Sequence, residues 1–256
     1  MFPQGPWSFY QTLIDSVPDD VLVTDCLKGR YWNLMAIDRP GGYGLAHFLP
    51  GSKPDCAPKP TDVIGRPAKE VANLLKSWEP ADVAMGLSCV NASLAATFKS
   101  ASDASMASEG NAFDIFLPRV KNRKVGVIGH FPKLENIKQA ASELLIFERL
   151  PQEGDYPDQA AEFLLPSCDV VFITGSSIMN KTVPRLLELS SQAQTFLVGP
   201  SVPLCPKLFQ FGITGLSGSL IFDYEALAND IKLSAQGMFD FNRHLTHRIN
   251  LLAPSP

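Results

Sequence analysis

The chain has 256 residues, of which 45% are hydrophobic and 19% charged, with a formal net charge of −4 at pH 7. That composition forms a core, which excludes a disordered chain, and the length suffices without disulfide or metal staples. Lys and Arg total 22 against 26 Asp and Glu, spread over both halves with no basic stripe, so neither a nucleic-acid binder nor a membrane-surface protein is expected.

The opening MFPQGPWSFY lacks the basic and apolar regions of a signal peptide, and no apolar run approaches the ~18 residues of a spanning helix. A cytoplasmic protein is the expectation. Cys26, Cys56, Cys89, Cys168 and Cys205 are scattered, odd in number and form no CxxC pair, which predicts reduced thiols rather than a disulfide framework.

In chain order, Trp7–Val17 has helical patterning. Residues 21–26 and 31–37 are rich in β-branched and aromatic residues and predict an antiparallel hairpin, with Gly29 expected to supply a positive φ in its turn. Tyr43–Phe48 predicts a third strand. A proline-rich stretch, 49–67, precedes two helices at Ala68–Ser77 and Ala81–Ser100; in the second, Val83, Leu87, Val90, Leu94 and Phe98 make one face. The small polar run 100–112 reads as either a linker or a mobile loop and marks the boundary between an α+β domain over 1–105 and an α/β domain over 106–256.

After the linker, strands alternate with helices. Strands are predicted at Lys124–Ile128, Leu144–Glu148, Asp169–Thr174, Thr195–Val198 and Ile213–Leu216. Helices are predicted at Leu134–Glu143, Gln159–Leu165, Lys181–Leu189 and Pro206–Phe211, with a last helical segment over Asp223–Ile249. Near-continuous apolar strands separated by helices predict a Rossmann-like parallel sheet. Ligands of such sheets bind beyond the carboxyl ends of the strands, where strand order switches.

Those ends carry the candidate chemistry. The first strand runs into Gly129-His130-Phe131-Pro132, half of a dinucleotide fingerprint with too few glycines. His130 is the best general acid–base candidate. Glu148 ends the second strand, nineteen residues after Gly129, where a carboxylate can accept from sugar hydroxyls; pairing with Arg149 is the competing reading. Thr174-Gly175-Ser176-Ser177 and Met179-Asn180-Lys181-Thr182 predict a ligand-facing polar loop, beyond the helix capping that Asn180 alone would explain. Gly199-Pro200-Ser201 adds a turn with one hydroxyl at the same edge. In the first half, Asn91 is a polar side chain among small and apolar neighbours and needs partners. His47 could reach the cleft. His244 and His247, spaced i, i+3, are expected on an exposed helix face. No HExxH, GxSxG or P-loop motif is present.

The runs VGVIGHFP, FERLPQEGDYPDQAAEFLLPSCDVVFITGSSIMNKTVPRLLEL and VGPSVPLCPKLFQFGITGLSG carry GHFP, E-R-x-P-x-x-G-D, TG-x-x-x-x-N-K-T and GPS in that order. Over residues 110–245 this resembles the heavy-metal chelation family, a domain of unknown function. The first hundred residues look like the small domain that precedes it, similar to the enolase N-terminal fold. The resemblance implies a Rossmann-like domain combined with that small domain, a site between them, and processing of a pterin-, flavin- or siderophore-like molecule or handling of metals. By motif, His130, Glu148 and Asn180 would be the catalytic group. Gly129, Phe131, Thr174, Gly175, Thr182, Gly199 and Ser201 would line the ligand, with Asn91 added from the first domain. Dispersed cysteines and histidines spell no metal site, and no cofactor is identified.

Three function classes follow: condensation or hydrolysis of a small molecule, non-catalytic binding of a metal or metal complex, and S-adenosylmethionine-dependent methyl transfer. The last suffers from the glycine-poor loop, where His-Phe-Pro would crowd the cofactor. The expected partner is a small-molecule ligand, with a metal or metal chelate as a further candidate. Apolar surface on the capping helices would suit a homodimer.

Overall fold

The computed structural model describes residues 4–47, 59–100, 107–132, 134–233 and 245–254. Helix α1 spans Trp7–Ile14, and its Phe9, Tyr10, Leu13 and Ile14 are buried as one face. Strands β1 (Val23–Lys28), β2 (Trp32–Ile37) and β3 (Tyr43–His47) form an antiparallel sheet in sequence order, with Leu27 opposite Leu34 and Met35 opposite Gly44. The hairpin turn departs from expectation in one respect. Gly29 is not among the residues with positive φ. Its glycine serves space instead: a Cβ there would lie 2.5 Å from Ile231 Cγ2.

Helix α2 (Ala68–Ala72) continues into a 3₁₀ turn over Asn73–Lys76, and α3 runs Pro80–Ser100 beneath the small sheet. By length and composition alone α3 could cross a bilayer, contrary to the expectation that no segment approaches that length. Here 72% of that stretch is buried inside the protein, packed on β2 and β3. Every residue of β2 is buried, because α3 covers one face of the sheet and a later helix covers the other.

Of the segment expected as a linker or loop, residues 101–106 lie outside the described residues, and Ala107–Glu109 form strand β4. Helices α4 (Ala112–Ile115) and α5 (Leu117–Val120) lead to β5 (Lys124–Ile128), α6 (Glu135–Ala140), β6 (Glu143–Glu148) and the two-residue β7 (Tyr156–Pro157). Then come α7 (Ala161–Leu164), flanked by 3₁₀ turns, β8 (Val170–Thr174), α8 (Ser176–Met179), α9 (Val183–Leu189) and β9 (Gln194–Val198). A 3₁₀ helix over Pro206–Phe211 precedes β10, which extends over Ile213–Ile221, past its predicted end. Helix α10 (Tyr224–Leu233) covers the outer face of the small sheet through Leu227, Ala228 and Ile231.

The expectation of helix throughout 223–249 fails at its end. Residues Thr246–Leu252 form strand β11, antiparallel to β10, with Gly218 opposite Ile249. The large sheet has the order β4-β11-β10-β9-β8-β5-β6-β7, parallel from β10 to β7 and antiparallel at β4 and β11. The chain builds outward from β5 through β6 to β7, returns to β8 on the other side of β5, and continues to β9 and β10. The order therefore switches between β5 and β8. One core face joins α1, α3 and the sheet through residues such as Phe9, Leu87, Val171 and Leu197. The opposite face is aromatic, with Phe116 stacked 4.4 Å from Phe196 and Phe172 5.3 Å from Phe196.

Candidate functional site

At the switch point, β5 ends in Gly129, whose φ of 99° favours glycine and whose absent Cβ would sit 3.0 Å from Thr174 Cγ2 at the end of β8. The chain can thus turn sharply beside β8 and carry His130 out over the sheet edge. The His130 main-chain N–H donates to Glu148 Oε2 at 2.9 Å, from the end of β6. Glu148 Oε1 accepts the Arg149 N–H at 2.7 Å. The carboxylate therefore does pair with Arg149, but through the backbone, and each oxygen keeps a lone pair for a ligand donor.

The His130 ring meets a group that the motif spacing contained but the sequence reading did not nominate. Nδ1 lies 3.2 Å from Asp155 Oδ2. The Asp155 side chain is 4% exposed and the His130 side chain 39%. Asp155 Oδ2 also accepts the Gln152 N–H at 3.0 Å. Asp155 closes the E-R-x-P-x-x-G-D motif, directly after Gly154 with φ of 90°. That last motif position was the available signal. What brings it to His130 is the folding back of the 149–155 loop, which periodicity does not encode.

The remaining predicted residues fall into separate groups. Phe131 turns its ring against Phe113, 5.1 Å away, at the margin of the aromatic core. Gly175 is held by Val198 through its N–H at 3.0 Å, and Gly199 lies against it, where a Cβ would be 3.7 Å from the Gly175 nitrogen. Ser201 is buried, and its hydroxyl oxygen accepts the His47 N–H at 2.8 Å. Asn91 donates to the Leu45 and Ser201 carbonyls at 2.8 and 3.1 Å, while its buried Oδ1 finds no hydrogen-bond partner among the described residues. His47 stacks edgewise on Trp32 at 5.0 Å, and burial lowers its pKa.

The expected polar loop after β8 is for the most part a helical turn, with Ser177, Ile178 and Met179 of α8 buried. Asn180 does not cap a helix beginning at Lys181. It follows α8, and its Oδ1 accepts both the N–H and the hydroxyl of Thr182, at 3.1 and 2.7 Å, before α9 begins at Val183. Between them Lys181 adopts φ of 66°. Its Nζ donates to the Leu75 carbonyl at 2.7 Å and lies 4.8 Å above the Tyr10 ring, and burial lowers its pKa to about 8.

The family resemblance raises the question of a metal. Among the described residues no three His, Cys, Asp or Glu side chains gather closely enough to hold one. Cys26, Cys89, Cys168 and Cys205 are buried. Desolvation pushes the thiol of Cys26 up to about 12 and that of Cys168 to about 11, which disfavours the thiolate a soft metal needs. His247 is on β11 rather than a helix, with Nδ1 2.6 Å from Glu109 Oε1; His244 and Cys56 lie outside the described residues. Among the described residues, therefore, the donor set does not fit a thiolate-bound heavy metal. A groove of about 630 Å³ lies elsewhere, lined by Ile37, Arg39, Tyr43, Ser93, Thr97 and Phe222 among others.

Residues 111–249 match the DUF364 family, described as "Putative heavy-metal chelation", and residues 10–94 match DUF4213, which carries the same description. An uncharacterized protein of Methanocaldococcus jannaschii is 27% identical over 182 residues, 68% of each chain. A crystal structure of a DUF364 protein of unknown function from Desulfitobacterium hafniense superposes with a TM-score of 0.83 at 33% identity, covering 98% of this chain and 100% of that one. A second, from Pyrococcus horikoshii, gives 0.76 at 18% identity over 97% and 99%, a likeness of fold.

Proposed function

This chain belongs to the DUF364 heavy-metal chelation family, and from that premise we propose that it binds a polar small organic molecule at the carboxyl ends of β5 and β6, beside the switch point, and processes it by proton transfer. The observation that carries the reading is His130, anchored on its main chain by Glu148 and on its ring by the buried Asp155, at the switch point of strand order. Glu148 retains lone pairs for hydroxyl or ring N–H donors of the ligand. A pterin-, flavin- or siderophore-like compound would offer such donors, and condensation or hydrolysis would use the His130 proton acceptor. A metal would reach the protein already complexed by that organic ligand, since the described side chains assemble no donor set of their own.

Non-catalytic binding of a metal complex is the second reading, favoured by the same accessible imidazole, which can ligate as well as accept a proton. Methyl transfer from S-adenosylmethionine has less support, because Phe131 is packed on Phe113 at the turn where the cofactor would lie.

Native mass spectrometry of freshly purified protein, set against its denatured mass and a metal analysis of the same sample, separates these readings. An organic adduct, lost in His130→Ala and Glu148→Ala, is the expected result. A stoichiometric metal without an organic adduct would overturn the proposal in favour of direct metal binding. Unchanged adduct in both variants would move the site away from this edge.

A further inference from the structure

We infer that Asp155 is a positioning residue that fixes His130 as its Nδ1–H tautomer and thereby presents the Nε2 lone pair to the site as a proton acceptor. The Asp155 side chain is 4% exposed, so its oxygens depend on protein donors. Oδ2 takes one from the Gln152 N–H at 3.0 Å and faces His130 Nδ1 at 3.2 Å. An ionised carboxylate only accepts. If Nδ1 carried the lone pair, two acceptors would confront each other at that distance, so Nδ1 must be the donor.

The second element is that His130 has little freedom to escape this pairing. Its main-chain N–H is held by Glu148 Oε2 at 2.9 Å, and Gly129 turns the chain tightly beside Thr174. One carboxylate fixes the backbone and another the ring. The His130 side chain is still 39% exposed, so the imidazole ring is not sealed in the core.

The third element is the chemistry this leaves. An O–H or N–H of a bound ligand can break as a new H–Nε2 bond forms. The electron pair stays on the ligand oxygen or nitrogen, and the resulting imidazolium faces the Asp155 carboxylate, which stabilises it. The ligand class is accordingly one with an ionisable O–H or N–H beside its reacting centre, or one attacked by water. The inference relies on the ligand-binding reading above only for what Nε2 meets.

The test is long-range proton–nitrogen NMR correlation on the full chain with ¹⁵N-labelled histidine, recorded above the pH range in which imidazole is protonated. His130 is assigned by its loss in His130→Gln. The wild type is expected to show the Nδ1–H pattern. Asp155→Ala is expected to show the Nε2–H form that an unrestrained imidazole favours in water. Asp155→Asn should retain Nδ1–H, because an amide oxygen at the Oδ2 position accepts both N–H groups. The Nε2–H pattern in the wild type, or no change in Asp155→Ala, overturns the inference. An adduct retained in native mass spectra alongside an Nε2–H His130 would defeat the tautomer assignment alone. A correct tautomer in a protein that takes up no organic molecule would defeat the ligand-binding reading alone.

Discussion

Asn91, on the helix beneath the small sheet, donates its side-chain amide to the main-chain carbonyl of Ser201 at the end of β9, 3.1 Å away. The same amide reaches the Leu45 carbonyl at 2.8 Å, and the Ser201 hydroxyl oxygen accepts from the His47 N–H at 2.8 Å. The small sheet is thereby joined to the carboxyl edge of the large one by three hydrogen bonds. Replacing Asn91 with Leu keeps the branched shape of the side chain but leaves two carbonyls without this donor. A loss of about 1–3 kcal/mol is expected, read as a lower urea midpoint at unchanged slope. Faster amide exchange at 199–202 should accompany it. A midpoint equal to wild type would mean that water replaces the amide without cost.

Gly44 marks a second point of contact between sheet and helix. A Cβ there would collide with the Ser88 carbonyl and the Ala92 nitrogen of α3, both backbone atoms that cannot swing aside. Gly154, by contrast, has nothing within 4 Å of its absent Cβ and only a positive φ to recommend glycine. Gly44→Ala should therefore cost more than about 4 kcal/mol, at the exceptional end of single substitutions. Gly154→Ala should cost about 1 kcal/mol through backbone strain. Thermal melts of the two variants side by side check the order; equal losses would contradict the close approach of β3 to α3.

Lys181 predicts a pH dependence of definite sign. Burial lowers its pKa from 10.5 to about 8 in the folded protein. Between those values the unfolded chain holds a proton that the folded chain has released, so this residue's contribution to stability rises with pH through that window. Below about pH 8 the ammonium is charged in both states and its desolvation opposes folding. Wild-type stability minus that of Lys181→Met should therefore increase from pH 8 to pH 10.5 in urea titrations. The subtraction removes the opposite trend of Cys26 and Cys89, whose thiols are shifted upward by burial. A flat difference would mean that the amine is solvated in the native state.

Those thiols also carry a reactivity prediction. Cys26 and Cys89 are buried, with thiolate formation suppressed by desolvation, and the thiolate is the reacting form. Pulse labelling with iodoacetamide near neutral pH should leave both unmodified in native protein and modify both in urea, as peptide mass spectrometry would read. Prompt native labelling of either would indicate local opening of the core around α3.

Much of the strand inventory was legible because it is written locally. Lys124–Ile128 is a lysine followed by the nonpolar run VGVI and closed by Gly129, and it is a strand with its predicted bounds. Pro206–Phe211 likewise has its predicted limits, with Gly212 in the left-handed conformation at its end. Residues 246–249 fall at the end of the expected helix, yet THRINLL has no strong local preference and becomes a strand because β10 and β4 offer it hydrogen-bonding edges. Gly29 was rightly seen as obligatory at a turn but for the wrong cause, because Ile231, two hundred residues away in sequence, supplies the constraint.

The sequence by itself determined the alternation of strand and helix, the mostly parallel sheet and the placing of His130 and Glu148 at strand ends. Periods of two and 3.6 residues and breaker residues act within a few positions, and a strand's end fixes which edge a residue occupies. The tertiary structure alone decided what those side chains do. Whether Glu148 binds a ligand or a backbone N–H, whether Ser201 faces a cleft or closes a seam, and which nitrogen of His130 is held by Asp155 all depend on donors and acceptors distant in sequence. Buried polar groups must find partners wherever the fold brings them, and that requirement is satisfied only in three dimensions.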